Sequence, residues 1–178
     1  MELKDLIATI PDWAKDVRLS VDTIHRTKLE DKRVAWGSAL AAAISAERKD
    51  LADAIAAHIV GSFNDDGEAE KHVHGARVAA GLMSMTNYYY SFRKMAGNEQ
   101  IAAIAPGLRM QAYASHGGVD KKAFEAYALA ASVVGKCEGC VSGHVATLLQ
   151  EGMFEEEVQE VARIASAIGA AAKMLAFA

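Results

Sequence analysis

A chain of 178 residues with 52% apolar side chains is long enough for one domain with a sizeable core and too apolar to stay disordered. A net charge of −4 with no basic run gives no reason to expect nucleic-acid binding. The opening MELKDLIATIPDW has acids and a proline where a secretory signal needs a basic end and a long apolar run. FEAYALAASVVG is too short to span a bilayer, and Arg163 and Lys173 interrupt the C-terminal apolar stretch. The expectation is a cytoplasmic protein with no membrane or nucleic-acid partner.

Abundant alanine, two prolines and helical periodicity predict an all-α chain. Residues 2–10 read as a short helix stopped by Pro11, and Trp13 to about Leu19 as a second. Longer helices follow over Lys28–Ala46 and Lys49–Phe63. Asn64, Asp65, Asp66 and Gly67 form a break. Glu68 to about Met95 reads as one long helix or two with a bend, and residues 96–107 as a mostly loose connection. A short helix over Leu108–Ser115 ends at His116-Gly117-Gly118. Asp120 is a good N-cap for Lys121–Val134, and Gly135 interrupts that helix. Residues 137–150 and Phe154–Phe177 make the last two helices, with Glu155–Glu157 suited to the start of the final one. ALAAA at 39–43 resembles ALAAS at 128–132, each followed at similar distance by a break and an Ala-rich helix. Two duplicated halves of about 89 residues would explain this, as would chance likeness between Ala-rich helices.

Both cysteines lie in GKCEGCVSGH, residues 135–144. On a helix, Cys137 and Cys140 sit roughly 60° apart around the axis, and His144 shares their face. Helical neighbours at this spacing have Cβ atoms roughly 5–6 Å apart, whereas a relaxed disulfide wants about 3.5–4.5 Å. The pair can therefore bridge only if the first turn tightens, which Gly135 and Gly139 make easier, and the bridge should be readily reduced. A helix start and Lys136 favour a thiolate, while Glu138 opposes it. Three readings fit: an inert buried pair, a zinc site and a redox dithiol. Structural zinc usually wants four ligands, and the motif with His144 supplies three, so the redox reading is favoured. His72 and His74, two apart, suit opposite sides of a helix.

Other candidates have plainer readings. Tyr88–Tyr90 cannot all face one way, so at least one is expected in the core and another at an interface. Met83, Met85 and Met95 are expected to fill core gaps. His116 reads as a loop residue, and His58 as packed or interfacial.

At residues 120–144, DKKAFEAYALAASVVGKCEGCVSGH resembles the E-x11-C-x2-C-x3-H segment of the alkylhydroperoxidase D family, within the carboxymuconolactone decarboxylase-like fold. Glu125, Cys137, Cys140 and His144 fall in the expected places. MTNYYYSFR at 85–93, PGLRM at 106–110 and LIATIPDWAKDVRLS at 6–20 extend the resemblance nearly end to end. It implies a single all-helical domain with its redox site in 120–150, and an antioxidant enzyme that reduces organic hydroperoxides and regenerates a partner peroxiredoxin. Cys140 would attack the peroxide and become a sulfenic acid. Cys137 would donate the proton and close the disulfide, and His144 and Glu125 would relay protons.

The resemblance further implies a homotrimer, no bound cofactor and no metal. Electrons would come from dihydrolipoyl groups of a lipoyl-bearing 2-oxoacid dehydrogenase component served by dihydrolipoamide dehydrogenase. Some relatives carry a His beside the second cysteine where this chain has Gly139, which would move any role of that His to His144. Glu125 lies about 18 Å before Cys137 along an unbroken helix, so it reaches the thiols only if the chain turns back near Gly135. The rivals are a carboxymuconolactone decarboxylase-like lyase, whose chemistry requires no dithiol, and a non-enzymatic redox or zinc-stabilised interaction protein.

Overall fold

A computed structural model describes residues 1–63 and 67–178, and among them there is no strand. The helices are α1 (Leu3–Ala8), α2 (Lys15–Asp22), α3 (Lys32–Ser45), α4 (Lys49–Ser62), α5 (Glu68–Ala96), α6 (Glu99–Ala103), α7 (Lys121–Val134), α8 (Glu138–Gln150) and α9 (Glu155–Met174). None is long and apolar enough to cross a membrane.

Two Ala-rich helices form the centre. Every residue from Ala35 to Ala43 on α3 and from Ala123 to Ser132 on α7 is buried. A helix buried on all sides needs small residues where its neighbours approach. Gly37 shows this: a Cβ there would lie 2.4 Å from Cε1 of Tyr127, so α3 can pack on α7 only with glycine at that position. Helices α5 and α9 each pack against both central helices.

The halves repeat. Helices α7 and α8 begin 89 positions after α3 and α4. Asp31 and Asp120 cap the first member of each pair, accepting from Arg33 N–H at 2.8 Å and Ala123 N–H at 2.9 Å. Glu47 and Lys136, also 89 apart, both take left-handed backbone angles in the two interhelical turns. Positions matching Glu125, Cys140 and His144 in the first half are Trp36, Leu51 and Ile55, all buried in the core. The same scaffold thus holds packing in one half and polar groups in the other.

Several boundaries differ from the sequence reading. Helix α3 starts at Lys32, not Lys28, because the Asp31 cap sets its first turn. The segment 96–107 contains α6, started by Asn98, whose side chain accepts from the N–H groups of Gln100 and Ile101. The helix expected at Leu108–Ser115 is instead a 3-10 segment over Gln111–Gly118. Helix α5 runs unbroken from Glu68, following Gly67 at φ 89°. The rest of the expected break, Asn64, Asp65 and Asp66, lies outside the described residues. Glu157 caps α9 as expected for that acidic run, accepting the Phe154 N–H at 2.9 Å.

Candidate active site

Helices α7 and α8 fold back on each other across Gly135-Lys136-Cys137. The reversal comes from Lys136 at φ 54°, while Gly135 keeps a right-handed backbone. Gly135 is required for space instead: a Cβ on it would stand 2.3 Å from Nδ2 of Asn87. Asn87, buried on α5, donates to the Ala131 carbonyl at 3.4 Å and accepts from the Ser132 hydroxyl at 3.0 Å. These bonds lock the end of α7 and so place the turn.

Cys137 is the N-cap of α8, in an extended conformation outside the helix. That corrects the expectation of a tightened first helical turn: leaving the helix is what brings Cys137 to Cys140. The two are disulfide-bonded, with Cα atoms 5.3 Å apart. The Cys140 N–H points at Cys137 Sγ at 3.3 Å. Cys137 is 1% exposed, whereas Cys140 is half-buried. Glu138, expected to oppose a thiolate, is ion-paired to Lys94 of α5, which tempers its charge.

The hairpin brings Glu125 and His144 together. Glu125 is fully buried, and its Oε2 lies 2.7 Å from His144 Nδ1. Its Oε1 accepts a hydrogen bond from the Tyr113 hydroxyl. Burial pushes the Glu125 carboxyl up, but hydrogen bonds from His144 and Tyr113 outweigh it and leave the group below the usual carboxylate range. The same burial and the adjacent carboxylate push the Tyr113 phenol well up, so it stays a donor. An ionised Glu125 assigns a proton to His144 Nδ1. The other ring nitrogen lies 3.1 Å from Met83 Sδ.

Cys137, Cys140 and His144 line an open cavity of about 640 Å³. Met83, Met95, Met110 and Tyr90 supply its apolar wall, and Lys94 and Lys136 are the cations on its lining. Such a wall suits an uncharged organic molecule delivered to the sulfurs. Gly139 also lines the cavity, and a Cβ built there would meet nothing within 4 Å.

All four residues singled out in the sequence therefore converge. Tyr113 was missed, because only tertiary packing carries the 3-10 segment onto α7. Other expectations shift. None of Tyr88–Tyr90 is buried in the core, since no residue of α5 after Asn87 is buried, and Tyr90 lines the cavity instead. Met83 fills the core, whereas Met95, near the C-terminal end of α5, is 79% exposed. His72 is buried and His74 exposed, on opposite sides of α5. His58 packs on Trp36 with ring centroids 4.3 Å apart.

Residues 99–178 match the carboxymuconolactone decarboxylase family. That span holds α6 to α9 and the whole Glu125–Cys137–Cys140–His144 set. Similarity to individual proteins runs further. The alkyl hydroperoxide reductase AhpD of Solibacter usitatus is 36% identical over 98% of this chain and 96% of its own. That of Rhodospirillum centenum is 34% identical over 98% and 91%, and that of Rhizorhabdus wittichii 32% identical over 100% and 99%. The chain belongs to the alkyl hydroperoxide reductase AhpD family.

Proposed function

We propose that the protein reduces organic hydroperoxides through a Cys137/Cys140 thiol–disulfide cycle. The observation that carries this reading is the bonded cysteine pair, half-open through Cys140 to an apolar cavity whose histidine is braced by a fully buried carboxylate. The Cys140 thiolate attacks the distal peroxide oxygen and the O–O bond breaks. The departing alkoxide takes a proton from Cys137 or His144 and leaves as the alcohol. Cys137 then attacks the Cys140 sulfenic acid, forming the disulfide and releasing water. A dithiol returns two electrons and two protons by exchange.

The greater accessibility of Cys140 supports its role as the attacking thiol, and the burial of Cys137 suits the resolving one. Glu125 and His144 serve as the relay that moves protons to and from the pair. On the family resemblance, the dithiol is a dihydrolipoyl group of a 2-oxoacid dehydrogenase component, recharged by dihydrolipoamide dehydrogenase. The same resemblance makes a peroxiredoxin the partner that receives electrons from this site, in a cytoplasmic setting. Exposed Tyr88, Phe92, Met95 and Ile104 at the end of α5 and beside α6 support assembly, proposed as a homotrimer.

Purified protein should consume an organic hydroperoxide in the presence of dihydrolipoamide. Thioredoxin and glutathione serve as comparison reductants, each with and without a peroxiredoxin. No peroxide consumption with any reductant in either arrangement would sink the reading.

A further inference from the structure

The Tyr113 hydroxyl has no place in the thiol cycle as written, yet it touches the one fully buried carboxylate of the site. Its setting is built. The 3-10 segment that carries it closes through His116 at φ 49° and Gly117 at φ 60°. Gly117 lies so close to α5 that a Cβ on it would be 2.6 Å from the Gly75 Cα. The Tyr113 ring stands edge-on to Phe124 of α7, with centroids 5.4 Å apart and planes at 88°. Backbone and ring are both held, so the hydroxyl is aimed at Glu125 by packing.

Glu125 has two oxygens and two donors. His144 from α8 takes Oε2 and Tyr113 takes Oε1. Lys121, one turn earlier on α7, adds a distant positive charge. From α5 the neighbour of the cluster is the uncharged Met83, which meets His144. A carboxylate this buried needs a partner on each oxygen, because an unpaired buried acceptor disfavours the charged form.

We propose that Tyr113 is a positioning residue of the relay: its hydroxyl occupies Glu125 Oε1, which leaves Oε2 to hold the His144 proton on Nδ1 and makes Nε2, beside Met83 Sδ at 3.1 Å on the cavity wall, the nitrogen that exchanges protons. This rests on the peroxide-reducing reading above, but part of its test does not. Tyr113 lines the same cavity as the sulfurs, but its hydroxyl is bonded to Glu125. It acts through Glu125, and Glu125 acts through the tautomer of His144.

The variant Tyr113→Phe keeps the ring that packs on Phe124 and removes only the hydroxyl. In reduced protein, nitrogen NMR of His144 should show the Nδ1–H form in the wild type and a mixture of tautomers in the variant. The Glu125 carboxyl, followed by carbon NMR, should titrate about one pH unit or more higher in the variant, because its burial is no longer offset on one oxygen. The acid limb of peroxide turnover should move up by the same interval, with kcat lowered and KM nearly unchanged. An unchanged His144 tautomer and Glu125 titration in a folded Tyr113→Phe protein would overturn the proposal, whatever the turnover. If the tautomer and titration move but neither this variant nor Glu125→Gln alters turnover, the positioning stands and the relay reading fails instead.

Discussion

Glu125 and His144 are nineteen residues apart and lie on different helices, yet their side chains meet at 2.7 Å beside the cysteine pair. The carboxylate is fully buried and the imidazole lines the cavity, so the contact joins the protein interior to the cavity at the sulfurs. Glu125→Gln removes the anion and keeps the shape. It should leave the fold intact and slow peroxide turnover by roughly 10²–10⁴-fold, the range for a general acid–base group. His144→Gln should slow it also, since Gly139 offers no second imidazole. Steady-state rates across pH check both variants. Near wild-type rates with an unchanged profile for Glu125→Gln would make that residue a structural acid.

Gly135 tests how the hairpin is held. In Gly135→Ala the new Cβ would collide with the Asn87 amide and displace it from Ala131 and Ser132. The buried donor and acceptor left unpaired should cost about 1–3 kcal/mol of stability. Turnover should fall as well, because the same bonds place the turn that carries Cys137. Urea denaturation beside the activity assay reads both effects. Wild-type stability in this variant would contradict the packing described.

Residues 120–144 show what was legible in the sequence and what was not. Asp120 announced the start of α7 through its capping chemistry, and the spacing of Cys137, Cys140 and His144 announced a shared face. The need for a chain reversal between Glu125 and the thiols followed from helix length alone. Its agent did not. Gly135 looked like the flexible joint, but Lys136 takes the left-handed conformation and Gly135 serves a contact with α5 that no local pattern encodes. Tyr113 was hidden for the same reason, since its partner is chosen by how Gly117 seats on Gly75. The repeat of α3–α4 in α7–α8 was faintly visible in ALAAA and ALAAS, and plain once Asp31 and Asp120 were seen to cap matching helices.

Stability should depend on pH in two steps. Burial pushes the His72 imidazole below its ordinary value of 6.5, so the folded state holds it neutral. A depressed folded value contributes stability above about 6.5 that is lost progressively as pH falls. Glu125 is also depressed, from an ordinary 4.5, so its contribution is present above that value and lost as pH falls through the folded one. Glu160 follows the same sign, held down by the Arg163 guanidinium. Folding free energies from urea titrations at several pH values should therefore decline first below about 6.5 and again below about 4.5. A flat profile from neutral pH to pH 4 would contradict the burial of His72 and the Glu125 pairing.

The two cysteines should differ in kind when replaced singly. Cys140→Ser should abolish peroxide consumption. Cys137→Ser should still react once and leave Cys140 as a sulfenic acid, which a dimedone-type reagent captures for mass spectrometry. Capture at Cys137 in the Cys140→Ser protein, with nothing at Cys140 in the other variant, would reverse the assigned roles.

The most direct measurement is a single turnover of fully reduced protein with a limiting organic hydroperoxide, followed by mass spectrometry of the thiols and quantification of the alcohol. The account predicts a Cys137–Cys140 disulfide formed in step with the alcohol, one for one, while the protein stays folded. Two free thiols after excess peroxide, or alcohol released without disulfide, would contradict it.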